Sequence, residues 1–276
     1  MVRPPPIQPA ACRRENARRS MLSLVPAVGC VVLLLTGHLG WALGVFWITF
    51  GGIGYGTVNP RSRLFGPHVT ELSAEEKDRG HVWITIDDGP DPVTTPAMLD
   101  VLDRHHAKAG FFLIGRKAAE HPELVREILR RGHLIGNHSQ THPSSYFWTL
   151  RPGRMWTEVA GCQQTLTDIS GTAPVWFRPP VGHHNLYLAA PLRALGLTMA
   201  IWNCRGFDGV VKNPALILKF IARSLKPGAI VLLHDGPPSC VEVLEGTLKL
   251  LAGQGLKAVL PAPLHPVAVA PRLSES

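Results

Sequence analysis

The chain has 276 residues, enough for one catalytic domain with a buried core plus an appendage, and too few for two full domains. Its formal charge of +8 suggests nucleic acid at first, but residues 1–63 hold seven Arg and one Glu, a net of +6, leaving +2 for the rest. That charge brackets an apolar segment instead of forming a binding face, which argues against a nucleic-acid partner. The five cysteines, Cys12, Cys30, Cys162, Cys204 and Cys240, show no CxxC spacing and read as packing residues, not as a disulfide framework.

Residues 1–19, with Pro4-Pro5-Pro6 and Arg13-Arg14, have the composition of a basic, solvated tail. Residues 20–60 carry no formal charge. One helix of that length would run roughly 60 Å, about twice the hydrocarbon thickness of a bilayer. A transmembrane segment at 20–59 therefore reads as a helical hairpin broken at Gly37-His38-Leu39-Gly40. Arg13, Arg14, Arg18 and Arg19 precede it and Arg61 and Arg63 follow it, so the positive-inside bias puts both ends in the cytoplasm at the cell inner membrane. The alternatives are one tilted span with a periplasmic domain, a cleaved signal peptide, or a helical pair lying on the domain or at the interface.

Residues 60–80 read as a linker with a charged Glu75–Arg79 run. From His81 short apolar runs alternate with amphipathic ones. Strands are expected at 82–86, 110–114, 133–136, 175–178, 198–202, 229–233 and 257–260, and helices at 95–104, 116–131, 154–169, 214–225 and 241–252. Seven strands alternating with helices predict an α/β domain over residues 81–260, its parallel sheet either closed like a barrel or open and doubly wound. Residues 261–276 read as an irregular tail.

In both architectures, residues at the C-terminal ends of strands converge on one face. Asp87 and Asp88 leave the first apolar strand before Gly89-Pro90. Two adjacent buried carboxylates need a cation or strong hydrogen bonds; an Asp cap on the next helix is the structural alternative. His138 and His142 follow the third strand. At a spacing of four they lie on one side of a helical turn, and with a carboxylate they leave an open position on zinc, although such pairs also occur on surfaces. Arg178-Pro179-Pro180-Val181 ends the next strand; the prolines stiffen the loop, which makes the Val181 N–H a candidate oxyanion donor and lets Arg178 hold Asp87, or else forms a plain rigid turn. His234, after Leu232-Leu233, can protonate a leaving amine, though a lone His there is often structural.

Together the four groups resemble the polysaccharide deacetylase family with NodB homology, carbohydrate esterase family four. The family's Thr-Phe-Asp-Asp-Gly-Pro motif stands as Thr85–Pro90, its His-Ser/Thr-x-x-His motif as His138–His142, Arg-x-Pro as Arg178–Pro180 and Leu-x-His as Leu232–His234. The resemblance implies a distorted (β/α)7-type barrel, a divalent ion such as Zn2+ or Co2+, and hydrolysis of an N-acyl group from an amino sugar in a polysaccharide or lipid-linked saccharide. By position it implies Asp88, His138 and His142 as metal ligands and Asp87 as the base. It likewise implies Arg178 as the residue orienting that base, Val181 as the oxyanion donor and His234 as the acid. The family's Asp-x-x-Asp-Trp departs to Arg205-Gly206-Phe207-Asp208-Gly209: Asp208 remains to tune His234, while Arg205 and Gly209 put an ordinary chitin or peptidoglycan substrate in question. A non-catalytic, membrane-tethered carbohydrate-binding protein on the same fold is the competing class.

Overall fold

A computed structural model describes residues 4–262 of the chain. Helices α1 (Ala10–Leu35) and α2 (Leu39–Val58) pack against each other, joined by a turn at Thr36–His38 where Gly37 takes a left-handed φ of 81°. The break therefore falls at the predicted glycine. Both helices are long and apolar enough to cross a membrane, and side chains such as Trp41, Trp47 and Ile48 point away from the protein.

The expected solvated tail does not hold beyond Pro9, because α1 starts at Ala10 and its first turns pack on the domain. Cys12 is buried with Trp156, Ala160 and Ala190, Trp156 Nε1 donates to the Pro6 carbonyl, and Arg19 donates to the Leu186 carbonyl at 3.1 Å. At the other end, Gly56 and Thr57 of α2 are buried, with Leu64 and Phe65 against Gly56.

The domain continues through α3 (Ala74–Asp78), β1 (His81–Gly89), α4 (Thr94–Arg104), β2 (Ala109–Leu113), α5 (Gly115–Glu120), α6 (Pro122–Arg130), β3 (Leu134–Asn137) and α7 (Pro152–Ser170). It ends with β4 (Trp176–Phe177), α8 (Ala189–Ala194), β5 (Thr198–Met199), β6 (Cys204–Arg205), α9 (Pro214–Ser224), β7 (Ile230–His234), α10 (Cys240–Gly253) and β8 (Lys257–Ala258). The strands form a parallel sheet in the order β5-β4-β3-β2-β1-β7-β6, with β8 paired to the start of β1. The sheet curls into a half-barrel that fits the expected (β/α)7-type fold.

Alternation along the central strands sorts the side chains onto two faces. Val82, Ile84 and Ile86 of β1, Phe111 and Leu113 of β2, and Val231 and Leu233 of β7 join one core under the covering helices. Trp83, Phe112 and Ile230 point the other way, into the barrel. Each such buried aromatic or aliphatic side chain contributes about 1.5–3 kcal/mol. The inner row of β1 is therefore Trp83, Thr85, Asp87, and that of β7 is Ile230, Leu232, His234. The register pairs Asp87 with His234 on one side and with Phe112 on the other.

The stretch read as a linker is part of the barrel wall. Val69 bridges Ala200, Glu71 bridges Ala229, and Leu72 is buried beside Trp83, so the segment lies between β5 and the start of β7, at the open side of the curl. The helix expected at 116–131 is two helices, because Pro122 lacks the N–H that a continuous helix needs and instead begins α6. Residues 263–276, most of the expected C-terminal tail, lie outside the described residues.

Candidate active site

Asp87 ends the inner row of β1, and its register neighbours leave it almost fully buried. Arg178, fully buried just after β4, donates from Nη1 to Asp87 Oδ1 at 2.8 Å. The same nitrogen donates to Thr85 Oγ1 at 2.7 Å, and Arg178 Nε donates to the Ala200 carbonyl at 3.0 Å. The Phe112 ring lies 4.2 Å from the guanidinium carbon. Gly136 makes room for that ring, since a Cβ there would stand 2.6 Å from it. Burial pulls the Arg178 pKa down against the opposing pull of Asp87, and the guanidinium holds one carboxylate oxygen fixed.

Asp88 is turned out of the strand. The β1–β2 register shifts between Asp87 and Gly89, and Asp88 takes a left-handed φ of 71°, which aims its side chain at His138 and His142. Its Oδ1 lies 3.4 Å from His138 Nε2 and 3.1 Å from His142 Nε2, yet makes no aligned hydrogen bond although buried. Burial raises the Asp88 pKa, but His138, and then His142, outweigh it and hold the carboxyl well below its ordinary range.

The two histidines do not meet on a helical turn, as their spacing suggested. Residues 138–142 form a loop in which Ser139 (φ 66°) and His142 (φ 53°) are left-handed, and this folds the second ring back to 4.8 Å from the first. Such conformations cost about 1–3 kcal/mol each and persist only where the surroundings enforce them. Here the loop is pinned: Asn137 Oδ1 accepts from Ser139 N at 3.0 Å, Ser139 Oγ from His142 N at 3.1 Å, and the buried Glu158 carboxylate from Thr141 N at 2.8 Å.

His138 Nδ1 lies 2.8 Å from the Arg178 carbonyl, an arrangement that needs a proton on Nδ1 and leaves Nε2 facing the carboxylates. Burial lowers the His142 pKa to about 4, aided by the neighbouring His138, so its ring is neutral at pH 7. Burial works the same way on His138, but Asp87 and Asp88 overcome it and raise its pKa. A divalent cation could take over the counter-charge that the proton supplies.

Across the pocket, His234 Nδ1 lies 2.9 Å from Asp208 Oδ1, while the His234 backbone N–H donates to Oδ2 at 2.7 Å. Burial opposes charging of His234, yet Asp208 prevails and raises its pKa to about 9. Val181 sits on the pocket wall in a tight turn at a left-handed φ of 56°, held by Gly182 against Trp202 and Pro60. Of the eight residues given roles from the sequence, Asp87, Asp88, His138, His142, Val181, Asp208 and His234 line one cavity of about 250 Å3, and Arg178 is bonded to Asp87 behind them.

The local chemistry fits a metal. Ligand atoms of Asp88, His138 and His142 lie within 4.8 Å of one another, and the buried Asp88 Oδ1 lacks an aligned donor. The polysaccharide deacetylase family model matches residues 74–200. A chitooligosaccharide deacetylase of Azorhizobium caulinodans is 33% identical over 192 residues, covering 67% of this chain and 89% of that protein.

The chain belongs to the polysaccharide deacetylase family. The peptidoglycan-N-acetylglucosamine deacetylase PgdA of Listeria monocytogenes is 32% identical over 203 residues, covering 74% of this chain but only 42% of that relative's length. Among solved structures, a family 4 carbohydrate esterase from Streptomyces lividans in complex with acetate matches with a TM-score of 0.61 at 32% identity, over 66% of this chain and 92% of that one. A CE4 family pseudoenzyme from Bacillus anthracis matches with a TM-score of 0.63 at 26% identity, over 70% of this chain and 66% of that one. Structures similar to this chain thus include a pseudoenzyme as well as a carbohydrate esterase.

Sequence reasoning missed several supports. Thr85, which holds the guanidinium, could have been found as the inner neighbour of Asp87 at strand period two. Glu158 is a charged residue on the buried face of α7. Trp202 and Phe207 line the pocket with Arg205 between them and carried no motif signal.

Proposed function

We propose that this chain is a metal-dependent hydrolase that removes an acetyl or formyl group from the nitrogen of an amino sugar, in a polysaccharide or lipid-linked saccharide. The observation that carries it is the pairing, across one small cavity, of a buried carboxylate fixed by Arg178 with an imidazole kept charged by Asp208. Binding alone requires neither, and this favours an enzyme over a carbohydrate-binding protein.

Asp88, His138 and His142 would hold the ion, most readily Zn2+ for this donor set, with Co2+ also suited. A bound divalent ion supplies a Lewis acid for the acyl oxygen and makes water acidic enough to attack near neutral pH. Asp87 takes the proton of the attacking water through Oδ2, because Oδ1 is committed to Arg178. The Val181 N–H serves the developing oxyanion. His234, charged up to about pH 9, gives its proton from Nε2 to the leaving nitrogen, since Nδ1 faces Asp208. Gly209 leaves the face of the His234 ring uncovered, with its Cβ position 3.5 Å away, so the leaving group meets no side chain there.

The hairpin α1–α2 serves as the membrane anchor. Packing of both its domain-side ends on one body supports a hairpin with both ends on one side of the bilayer, and the arginine clusters favour the cytoplasmic face of the inner membrane. The test is acetate or formate release by the full chain, reconstituted with Zn2+ or Co2+, from chitooligosaccharide, peptidoglycan fragments and lipid-linked amino sugars. Release from at least one supports the reading. Metal bound with no release from any favours the carbohydrate-binding alternative.

A further inference from the structure

Arg205 lines the same cavity as the Asp88, His138 and His142 cluster. Its guanidinium lies 4.1 Å from the Phe207 ring centre and 5.7 Å from that of Trp202, so two aromatic faces set its orientation. Arg61 lies outside the lining of that cavity, donating from Nη2 to the Asn203 carbonyl at 3.1 Å, two residues before Arg205. The two charges are close enough that Arg61 adds to the burial that lowers the Arg205 pKa. Among the described residues, neither guanidinium pairs with a carboxylate. Arg61, Arg223 and Lys226 share a separate depression.

Two neighbouring cations without an acid repel each other, and a dianion bound at Arg205 relieves the repulsion. Guanidinium forks match phosphate oxygens in geometry as well as charge. The position along the chain adds a second constraint. Helix α2 ends at Val58, and Pro60 is wedged against Gly182 while His184 N donates to the Thr57 carbonyl at 3.0 Å. Arg61 is three residues beyond the helix end, at most about 11 Å of chain. With α2 in the bilayer, the two arginines stand at headgroup depth.

We propose that the pocket takes an N-acylated amino sugar bearing a phosphate group, with the phosphate seated on Arg205 in the added positive field of Arg61 and the acyl amide directed to Asp87 and His234. This rests on the deacylase reading for the amide, while the phosphate site stands on the arginines alone. The phosphate can come from a soluble sugar phosphate or from a lipid carrier.

The test uses the full chain, metal-reconstituted in lipid nanodiscs. Binding to the Asp87→Asn holoprotein is measured for N-acetylglucosamine, N-acetylglucosamine 1-phosphate and an N-acetylhexosaminuronic acid. Acetate release by the unsubstituted protein is measured for the same sugars and for polyprenyl-diphosphate-linked N-acetylglucosamine. The expected result is at least tenfold tighter binding of the sugar phosphate than of the neutral sugar, lost on raising salt. Arg205→Gln should lower the phosphate-to-neutral ratio of kcat/KM at least tenfold, mainly through KM, and Arg205→Lys should restore part of it.

Preference for the prenyl-linked sugar over the soluble phosphate identifies the lipid source, and the reverse identifies the soluble one. Equal binding of neutral and phosphorylated sugars overturns the proposal. So does an Arg205→Gln variant that loses activity on both equally, or a uronic acid bound as tightly as the phosphate. Phosphate-selective binding without hydrolysis of any sugar keeps the arginine site and defeats the deacylase reading instead.

Discussion

Replacing Asp208 with Asn keeps the shape beside His234 and one acceptor oxygen but removes the negative charge. In the intact site that contact is the main force raising the His234 pKa to about 9 from an ordinary 6.5, against burial. Because the acid must carry its proton, activity should persist from neutral pH upward and fall as pH rises through about 9. Without Asp208 the burial remains and only the weaker pull of Asp87 and Asp88 opposes it, so the pKa falls back toward the ordinary 6.5. At pH 8 the protonated fraction then falls from roughly 0.9 to roughly 0.03, about a 30-fold loss of kcat/KM, whereas at pH 6 the loss from protonation is under about twofold. The assay is the pH profile of acyl release for both proteins under saturating metal. An Asp208→Asn variant that loses the same factor at pH 6 and pH 8, with its basic limb unmoved, refutes His234 as the acid tuned by Asp208.

Further outcomes test the site and the anchor separately. Chelation should abolish acyl release and Zn2+ restore it; metal at about a thousandfold over Kd should add about 4 kcal/mol to stability in thermal melts. His142→Ala, with one ligand gone, should lose most of that gain. Arg178→Met should cost about 3–5 kcal/mol in denaturant unfolding, because it strands a buried Asp87 carboxylate without its partner. A reporter fused after Ser276 should be active in the cytoplasm; activity only in the periplasm contradicts the hairpin orientation.

The grouping of the candidate site was legible because each of its residues stands near the end of an apolar run. Asp87, Asp88, His138, Arg178 and His234 all lie within a residue or two of a central strand's last paired position, where the parallel architecture collects them. What the sequence hid depends on contacts between distant segments. β6 is two residues long and has no period to detect, yet it ends on Arg205. The left-handed turns at Asp88, Ser139 and His142 are enforced by Asn137, Glu158 and the neighbouring strands, so a helical spacing for the histidines looked natural and was wrong. The basic segment from Ala10 looked solvated because its arginines dominate the composition, while Cys12 and Asn16 on one face of α1 carry the packing. The charged stretch before His81 likewise concealed Val69 and Leu72, which fill the open side of the barrel.

The most direct test of the central claim is acyl release by Asp87→Asn alongside metal content in the same preparation. Asp87 binds Arg178 through Oδ1, and although its Oδ2 lies 3.7 Å from His138 Nε2 it is outside the Asp88, His138 and His142 donor group, so the variant should keep one divalent ion per chain. Its rate should fall at least about a hundredfold, the scale of a lost general base. Full metal occupancy with undiminished release would contradict the account, because the buried, arginine-held carboxylate would then have no part in the reaction.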